Sequence, residues 1–247
     1  MNRRIVSTIA AKDLRLAVTR RSIRYSLIAF PLLVSIGLPL VTRFAGHRNG
    51  GQGIPAAALP RTLDSFVFFF VIGAAVLPTA IAAYSLVGEK IDRSLEPLLA
   101  TPAGDGEILL GKTLAAALPP VVAIWLSSVV FMVLSDAFTR DRLHRDYFPN
   151  ASAWLILLLV VPLTALGSVG FSVLVSARVT DVRAGQQLGA LAVLPFMGVY
   201  IAAETGGLTL DSTGLLVLAG VLAAVDAGLA VLSRAVFRRE EILTRWA

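Results

Sequence analysis

Six long apolar segments alternate with short polar ones along the chain, and they predict six membrane-spanning helices. Their bounds are 25–42, 63–87, 113–134, 153–176, 184–203 and 212–233. A helix needs about 20 predominantly apolar residues to cross the hydrocarbon core of a bilayer. The segments are too long and too uniformly apolar for the alternating strands of an outer-membrane barrel. The pattern therefore predicts an all-α, polytopic membrane protein in which residues 1–247 form a single transmembrane domain.

Composition supports this fold class and excludes several kinds of chemistry. Hydrophobic residues make up 56% of the chain and charged residues 15%, and the mean hydropathy is +0.79. Soluble domains carry about 25% charged residues. The chain has no cysteine, which excludes disulfides, thiol catalysis and Cys-based metal sites. The two histidines, His47 and His144, lie in polar loops and do not favour a metal site.

The distribution of Lys and Arg predicts which side of the membrane each loop faces. Residues 1–24, 88–112, 177–183 and 234–247 carry sixteen of these residues, whereas the loops on the opposite side carry six. Cytoplasmic loops are the ones enriched in Lys and Arg. We therefore expect a multi-pass protein of the cell (plasma) membrane with both termini in the cytoplasm. The net charge of +6 reflects this topology and does not require nucleic-acid binding.

The basic N-terminal segment predicts an amphipathic helix on the cytoplasmic membrane surface. Ile5, Ile9 and Leu16 share one helical face in residues 3–21, although Asp13 and Arg20 interrupt that face. The alternative is an ordinary basic leader that sets the topology. A cleavable signal is not expected, because the first apolar run starts near residue 25 and no small-x-small cleavage site follows it.

Several residues inside the spans have more than one interpretation. Seven of the twelve prolines lie in spans and allow kinks. Gly185-x-x-x-Gly189 allows close helix contact, either within the subunit or between two subunits.

Asp226 is the one acid deep within a span, where a charge costs roughly 2.5–3.5 kcal/mol on insertion scales. It is a candidate for the transport pathway, and a structural hydrogen bond or a water contact is the alternative.

The polar segment 88–112 ends in a match to a nucleotide-binding pattern that lacks the structural context of such a site. Residues 106–113 fit G-x-x-x-x-G-K-[ST]. A P-loop follows a buried strand and opens a soluble helix, so that its backbone amides can surround phosphates. Here Pro and Gly residues precede the match, three bulky apolar residues fill it, and a membrane span follows. No apolar strand ending in Asp is available to hold magnesium.

The same segment contains two short leucine-rich clusters among charged residues. We expect a short helix, a Pro/Gly turn, and then a helix from Asp105 that continues into the third span. Asp105 suits the N-cap and Glu107 the first turn of that helix. A cytoplasmic knob with exposed leucines would fit the groove of a partner protein. The alternative is a loop whose leucines fold back on the membrane surface.

Residues 88–112 also carry a family resemblance, which the six spans and the N-terminal helix extend over the whole chain. The matching residues are Glu89-Lys90, Ser94-Leu95-Glu96-x-Leu98-Leu99-Ala100-Thr101-Pro102, Glu107-Ile108 and Gly111-Lys112. With these features the chain resembles the membrane subunit of an ABC-2-type exporter. The resemblance implies that this loop holds a coupling helix that docks on a separate ATPase subunit. It also implies a dimer of two such chains, or of this chain with a related permease.

The resemblance implies roles for particular residues. The expected ATPase-docking residues are Arg93, Leu95, Glu96, Leu98, Leu99 and Pro102, and the residues expected to brace the loop by ion pairs are Glu89, Lys90 and Lys112. Residues 178–183 form either a second contact or a solvated turn. The chain is then not an enzyme and carries no cofactor, since ATP and magnesium are bound by the partner. The chain departs from the family pattern in the loop between the fifth and sixth spans, residues 204–211, which is too short for the elaborate external segment of some relatives.

Two other classes of function compete with this interpretation. A self-sufficient secondary transporter driven by an ion gradient usually needs intramembrane ionisable groups or broken helices in two matched halves. Only Asp226 meets this requirement, and no internal repeat is evident. An intramembrane enzyme would need a Ser/His, paired-Asp or metal constellation. No span contains a histidine, and Asp226 is the one acid deep within a span, so no paired-acid constellation is evident.

Overall fold

The computed structural model describes residues 2–44, 54–88, 103–176, 178–179, 181–205, 207 and 209–236, and all regular structure in these ranges is helical. The helices are α1 (Arg3–Thr19), α2 (Arg21–Phe44), α3 (Leu59–Ala83), α4 (Asp105–Leu143), α5 (Ala151–Ser176), α6 (Val182–Glu204) and α7 (Ser212–Val236). Helices α2 to α7 are each long and apolar enough to cross a membrane. The predicted all-α fold with six spans is confirmed.

The core of the bundle surrounds α3, the most deeply buried span. Phe70 of α3 meets the ring of Phe131 on α4 edge to face, with 5.7 Å between centroids. Phe30 of α2 packs against Gly73, where a Cβ atom would lie 2.5 Å from the Phe30 ring. The long apolar side chains of α6 and α7 are instead largely exposed. Lipid tails are as apolar as these side chains, so an exposed apolar face is expected of spans at the periphery of a membrane bundle.

Helix α1 confirms the predicted N-terminal helix, and of the residues predicted to share its apolar face only Leu16 is exposed. The buried residues are Val6, Ile9, Asp13 and Ala17, whereas Leu16 is 49% exposed. Gly111 of α4 allows this contact, because a Cβ atom there would lie 2.9 Å from Cγ2 of Ile9. Asp13 therefore interrupts the apolar face, as predicted, and the fold buries it there. Asp13 lies in the middle of the face that packs against the bundle.

Helix α4 starts at Asp105, as predicted, and runs without a break into the third span. The N-cap is Gly104, not Asp105, because Gly104 has extended backbone angles and Asp105 is already helical. At 39 residues α4 would be about 58 Å long at 1.5 Å per residue. This length exceeds the roughly 30 Å hydrocarbon core. Both ends of α4 therefore extend beyond the predicted span 113–134.

Two spans depart from α-helical geometry just before a proline. Residues Ile156–Val160 of α5 form a π-helical turn before Pro162, and Leu191–Val193 of α6 form a 3₁₀ turn before Pro195. The amide of Val161 bonds the carbonyl of Ile156, and Pro162 has no N–H, so the carbonyl of Leu157 lacks an intrahelical partner. The indole Nε1 of Trp125 on α4 donates to that carbonyl at 2.7 Å.

Polar contacts join the helices at the end of the bundle where α3 begins. The carboxylate of Asp64 accepts hydrogen bonds from the hydroxyl of Tyr147 at 2.9 Å and from Nδ2 of Asn150 at 2.8 Å. Burial, followed by the charge of Asp64, raises the pKa of Tyr147 well above its ordinary value, so Tyr147 remains a donor. Arg61 donates to the carbonyl of Ala203 at the end of α6.

Candidate functional site

A buried ion pair connects three elements at the opposite end of the bundle. Nζ of Lys112 on α4 lies 3.1 Å from Oδ2 of Asp13 on α1, and the two side chains are 3% and 4% exposed. Lys112 also donates to the carbonyl oxygen of Ser85 at 3.0 Å and to its hydroxyl at 3.1 Å. The Ser85 hydroxyl in turn donates to Oδ2 of Asp13 at 2.7 Å. We call Asp13, Ser85 and Lys112 the Lys112 cluster.

The Lys112 cluster holds its three elements in one arrangement. A buried ion pair gains little net stability against a hydrophobic replacement, but removing one partner costs about 3–5 kcal/mol because the other charge is left buried. Oδ1 of Asp13 has no hydrogen-bond partner in the described part of the chain. The negative charge of this carboxylate is therefore compensated at Oδ2, by Lys112. The cluster therefore specifies how α1 sits on the bundle more than it adds stability.

Further contacts attach α1 to the same two elements. The carboxylate of Glu107 accepts hydrogen bonds from the amides of Asn2 and Gly104, and so joins the start of α1 to the start of α4. The guanidinium of Arg20, which follows α1, lies 4.5 Å from the ring centroid of Tyr84, a cation–π distance. Tyr84 and Ser85 belong to the π-helical turn Tyr84–Gly88 that continues α3.

These contacts frame the chain segment between residues 88 and 104. The turn that ends at Gly88 and the helix that starts at Asp105 are both held by α1, through Ser85 and Tyr84 on one side and through Lys112 and Glu107 on the other. Any force on residues 89–102 is therefore applied to a part of the protein in which α1, α3 and α4 are joined.

Asp226 lies apart from this cluster, between α7 and α5. Its carboxylate faces Gly167, where a Cβ atom would lie 2.5 Å from Oδ1. Both carboxylate oxygens are buried and accept no hydrogen bond from any described residue. Two turns away the hydroxyl of Ser233 reaches the carbonyl of Gly170 at 3.4 Å. The described residues thus supply no structural hydrogen bond for Asp226.

Comparison with known proteins identifies the family. The model of the ABC-2 family transporter proteins matches residues 25–219, which is most of the chain. The chain belongs to the ABC-2 transporter family. It is also similar to the ABC transporter permease protein NatB of Bacillus subtilis (strain 168), at 26% identity over 152 residues, or 60% of this chain. The chain spans 38% of the length of that relative.

Most of the predicted site residues of this ABC-2 permease lie outside the described residues. This applies to the docking residues and to two of the bracing residues: Glu89, Lys90, Arg93, Leu95, Glu96, Leu98, Leu99 and Pro102. Their roles stay predictions. Lys112 is described, and the structure places it in the buried pair with Asp13. Asp181, in the segment predicted as a second contact or a turn, caps α6 by accepting a hydrogen bond from the amide of Ala184 at 3.4 Å.

The nucleotide-binding pattern of this permease forms part of a helix. Residues 106–113 lie within α4, where the amides from Glu107 onward take part in helical hydrogen bonds, and Lys112 is buried against Asp13. A P-loop needs free amides that surround phosphates and a lysine that reaches them. The match at Gly106–Thr113 therefore does not form a phosphate-binding loop.

Sequence reasoning missed Asp13 and Ser85 as members of the site. The signal was present for Asp13: an acid on the apolar face of an amphipathic helix, together with a lysine at the start of a span. Two charges that each look misplaced in an apolar setting can compensate each other if the fold brings them together. For Ser85 no such signal exists, because its role depends on the π-helical turn after α3.

Proposed function

We propose that this permease is the membrane subunit of an ATP-driven exporter and receives its power stroke at residues 89–102. A separate ATP-binding subunit docks there on Arg93, Leu95, Glu96, Leu98, Leu99 and Pro102, and it binds ATP and magnesium. The observation that supports this proposal best is the Lys112 cluster, which joins both flanks of this segment to α1. A segment framed in this way can transmit force in a way that a loosely attached loop cannot.

The proposed mechanism is mechanical. Closure of the ATPase dimer displaces residues 89–102, and the displacement passes to the turn Tyr84–Gly88 and to the start of α4. Because Lys112 ties these two elements to α1, the three move together. Glu89 and Lys90 brace the segment where it leaves the membrane. A second copy of the chain, or a related permease, completes the pathway, and both termini face the cytoplasm of a cell whose plasma membrane holds the protein.

Co-purification tests the partnership. The permease is isolated from membranes of its native source in mild detergent, and the proteins that accompany it are quantified. We expect an ATP-binding-cassette subunit in equal molar amount. The absence of such a subunit, together with transport that follows an ion gradient instead of ATP, would overturn the proposal and favour a secondary transporter.

Two substitutions test the docking surface. Glu96→Lys reverses a charge, and Leu98→Asp places a charge where an apolar contact is expected, a change that typically costs more than 1 kcal/mol at the centre of an interface. Both should lower ATP-dependent transport about tenfold or more, while ATPase activity persists and the amount of inserted protein is unchanged.

The matched control for these variants is Asp141→Lys, a charge reversal on an exposed residue at the other end of α4. It should leave transport unchanged. Normal transport by both Glu96→Lys and Leu98→Asp would show that the docking surface lies elsewhere, whether or not an ATPase partner is present.

A further inference from the structure

Helix α5 carries a stripe of hydroxyl side chains on its buried face. They recur every four residues, and each is at most 6% exposed: Thr164, Ser168, Ser172 and Ser176. Residues four apart lie on the same side of a helix, and twelve residues rise about 18 Å, more than half of a roughly 30 Å hydrocarbon core. We call these four residues the α5 hydroxyl stripe.

The hydroxyls of this stripe lack the partners that hydroxyls elsewhere in the bundle have. Buried Ser35, Ser127 and Thr139 each donate to a carbonyl of their own helix, the usual solution for Ser and Thr in membrane helices. In the α5 hydroxyl stripe, Ser168 bonds a carbonyl of α3, that of Ala75, at 2.6 Å. The other three have no partner, and they account for three of the four buried unpaired hydroxyls among the described residues.

Gly189 of α6 closes over the stripe at Ser172. A Cβ atom on Gly189 would lie 3.0 Å from the hydroxyl oxygen of Ser172 and 3.2 Å from Cβ of Thr79 on α3. One turn earlier, a Cβ atom on Gly185 would lie 3.5 Å from Ala83. The Gly185-x-x-x-Gly189 motif therefore packs inside this chain, and it lets α6 approach the seam between α3 and α5 closely.

Helix α6 is suited to move away from this seam. Its outer side is exposed at Leu188, Leu191 and Leu194, and its helical hydrogen bonding changes at the 3₁₀ turn next to Gly189. A peripheral helix with an interrupted hydrogen-bond ladder separates from its neighbours at a lower cost than a continuous buried one. Separation would expose the unpaired hydroxyl of Ser172 to any molecule able to bond it.

We infer that the α5 hydroxyl stripe binds water and forms one wall of a polar path through the span, which α6 closes at Ser172 in this structure. Buried polar groups without a protein partner are typically satisfied by ordered water. Helix α5 has no charged side chain, so the stripe offers neutral donors and acceptors, the chemistry that binds water and excludes bare ions. Hydration of the stripe does not require docking at residues 89–102, so either proposal can fail alone.

Cysteine accessibility tests this inference directly, because the natural chain has no cysteine. Single variants Thr164→Cys, Ser168→Cys, Ser172→Cys and Ser176→Cys are expressed in the native host, and membranes are treated with a small, uncharged methanethiosulfonate, which a path that excludes ions still admits. The matched controls are Ala165→Cys and Val169→Cys, which are buried on other faces of α5, and Leu158→Cys, which is exposed on its outer side. Thiols react as thiolates, and thiolates form in water but not in apolar surroundings.

We expect the stripe variants to react at least about tenfold faster than all three controls, which corresponds to about one unit in thiol pKa. Leu158→Cys shows whether exposure to lipid alone produces labelling. The four stripe positions are compared separately, so loss of one variant to misfolding leaves the comparison intact. Labelling of every stripe variant at the rate of Ala165→Cys and Val169→Cys would show that the stripe is dry and would overturn the inference.

Discussion

At the scale of single residues, the informative positions are charges that the apolar pattern does not explain. Asp13 and Lys112 each contradict their surroundings in the sequence, and the fold brings them together at 3.1 Å. Asp226 contradicts its surroundings as well, but its carboxylate remains without a partner among the described residues. The pair of Asp13 and Lys112 positions helices relative to one another. The cost of burying Asp226 must be offset either by protonation of its carboxyl group or by contact with water or a cation.

The Asp13–Lys112 ion pair gives a prediction that separates the net stability it adds to the protein from the cost of removing one of its two charges. Asp13→Leu and Lys112→Met should each lower the free energy of unfolding by about 3–5 kcal/mol, because each leaves one buried charge uncompensated. The double variant Asp13→Leu/Lys112→Met removes both charges and should regain most of that loss. Unfolding in detergent, followed by circular dichroism, measures all three as a double-mutant cycle.

Arg15→Ala is the matched control for this cycle. Arg15 lies on α1 but is exposed, so its removal should change stability by no more than about 0.5 kcal/mol. If the double variant were as unstable as the sum of the two single variants, the two residues would act independently, and the Lys112 cluster would not be the tie that the geometry indicates.

At the scale of elements, hydropathy predicts where the spans are but not how they end or bend. All six predicted spans correspond to helices, because about 20 apolar residues leave few other solutions in a bilayer. The extension of α4 to Asp105 could be predicted from its turn residues, whereas its far end at Leu143 is polar and carries no hydropathy signal. The π-helical turns depend on which carbonyls find partners on neighbouring helices, which single-sequence patterns do not encode.

The π-helical turn of α5 gives a prediction at this scale. Trp125→Phe keeps an aromatic ring but removes the donor to the carbonyl of Leu157, so a buried carbonyl beside Pro162 loses its partner. We expect the free energy of unfolding to fall by about 1–3 kcal/mol, the cost of an unsatisfied buried polar group.

Trp154→Phe makes the same chemical change on α5, at an indole that is 51% exposed. It should be close to neutral in the same detergent unfolding assay. Equal effects from Trp125→Phe and Trp154→Phe would show that loss of indole volume, and not loss of the hydrogen bond to Leu157, controls the stability of this turn.

At the scale of the whole molecule, the contacts sort the loops into two groups. The Lys112 cluster places α1, the end of α3 and the start of α4 at one end of the bundle. Gly185 packs against Ala83 and Val87, so the start of α6 lies at that end too. The contacts of Asp64 and Arg61 place two other connections at the opposite end: the one before α5 and the one after α6. This grouping agrees with the alternation that six spans require.

The grouping makes the membrane orientation testable with two single cysteines in a chain that has none. Arg145 is exposed in the connection before α5, and Arg178 is exposed in the connection after it. If the end with the larger number of Lys and Arg residues is cytoplasmic, an impermeant thiol reagent should label Arg145→Cys in intact cells. It should label Arg178→Cys only after the membrane is opened. The reverse pattern would place residues 89–102 outside the cell, where no ATP-binding subunit could reach them, and labelling of both variants in intact cells would contradict the helical topology itself.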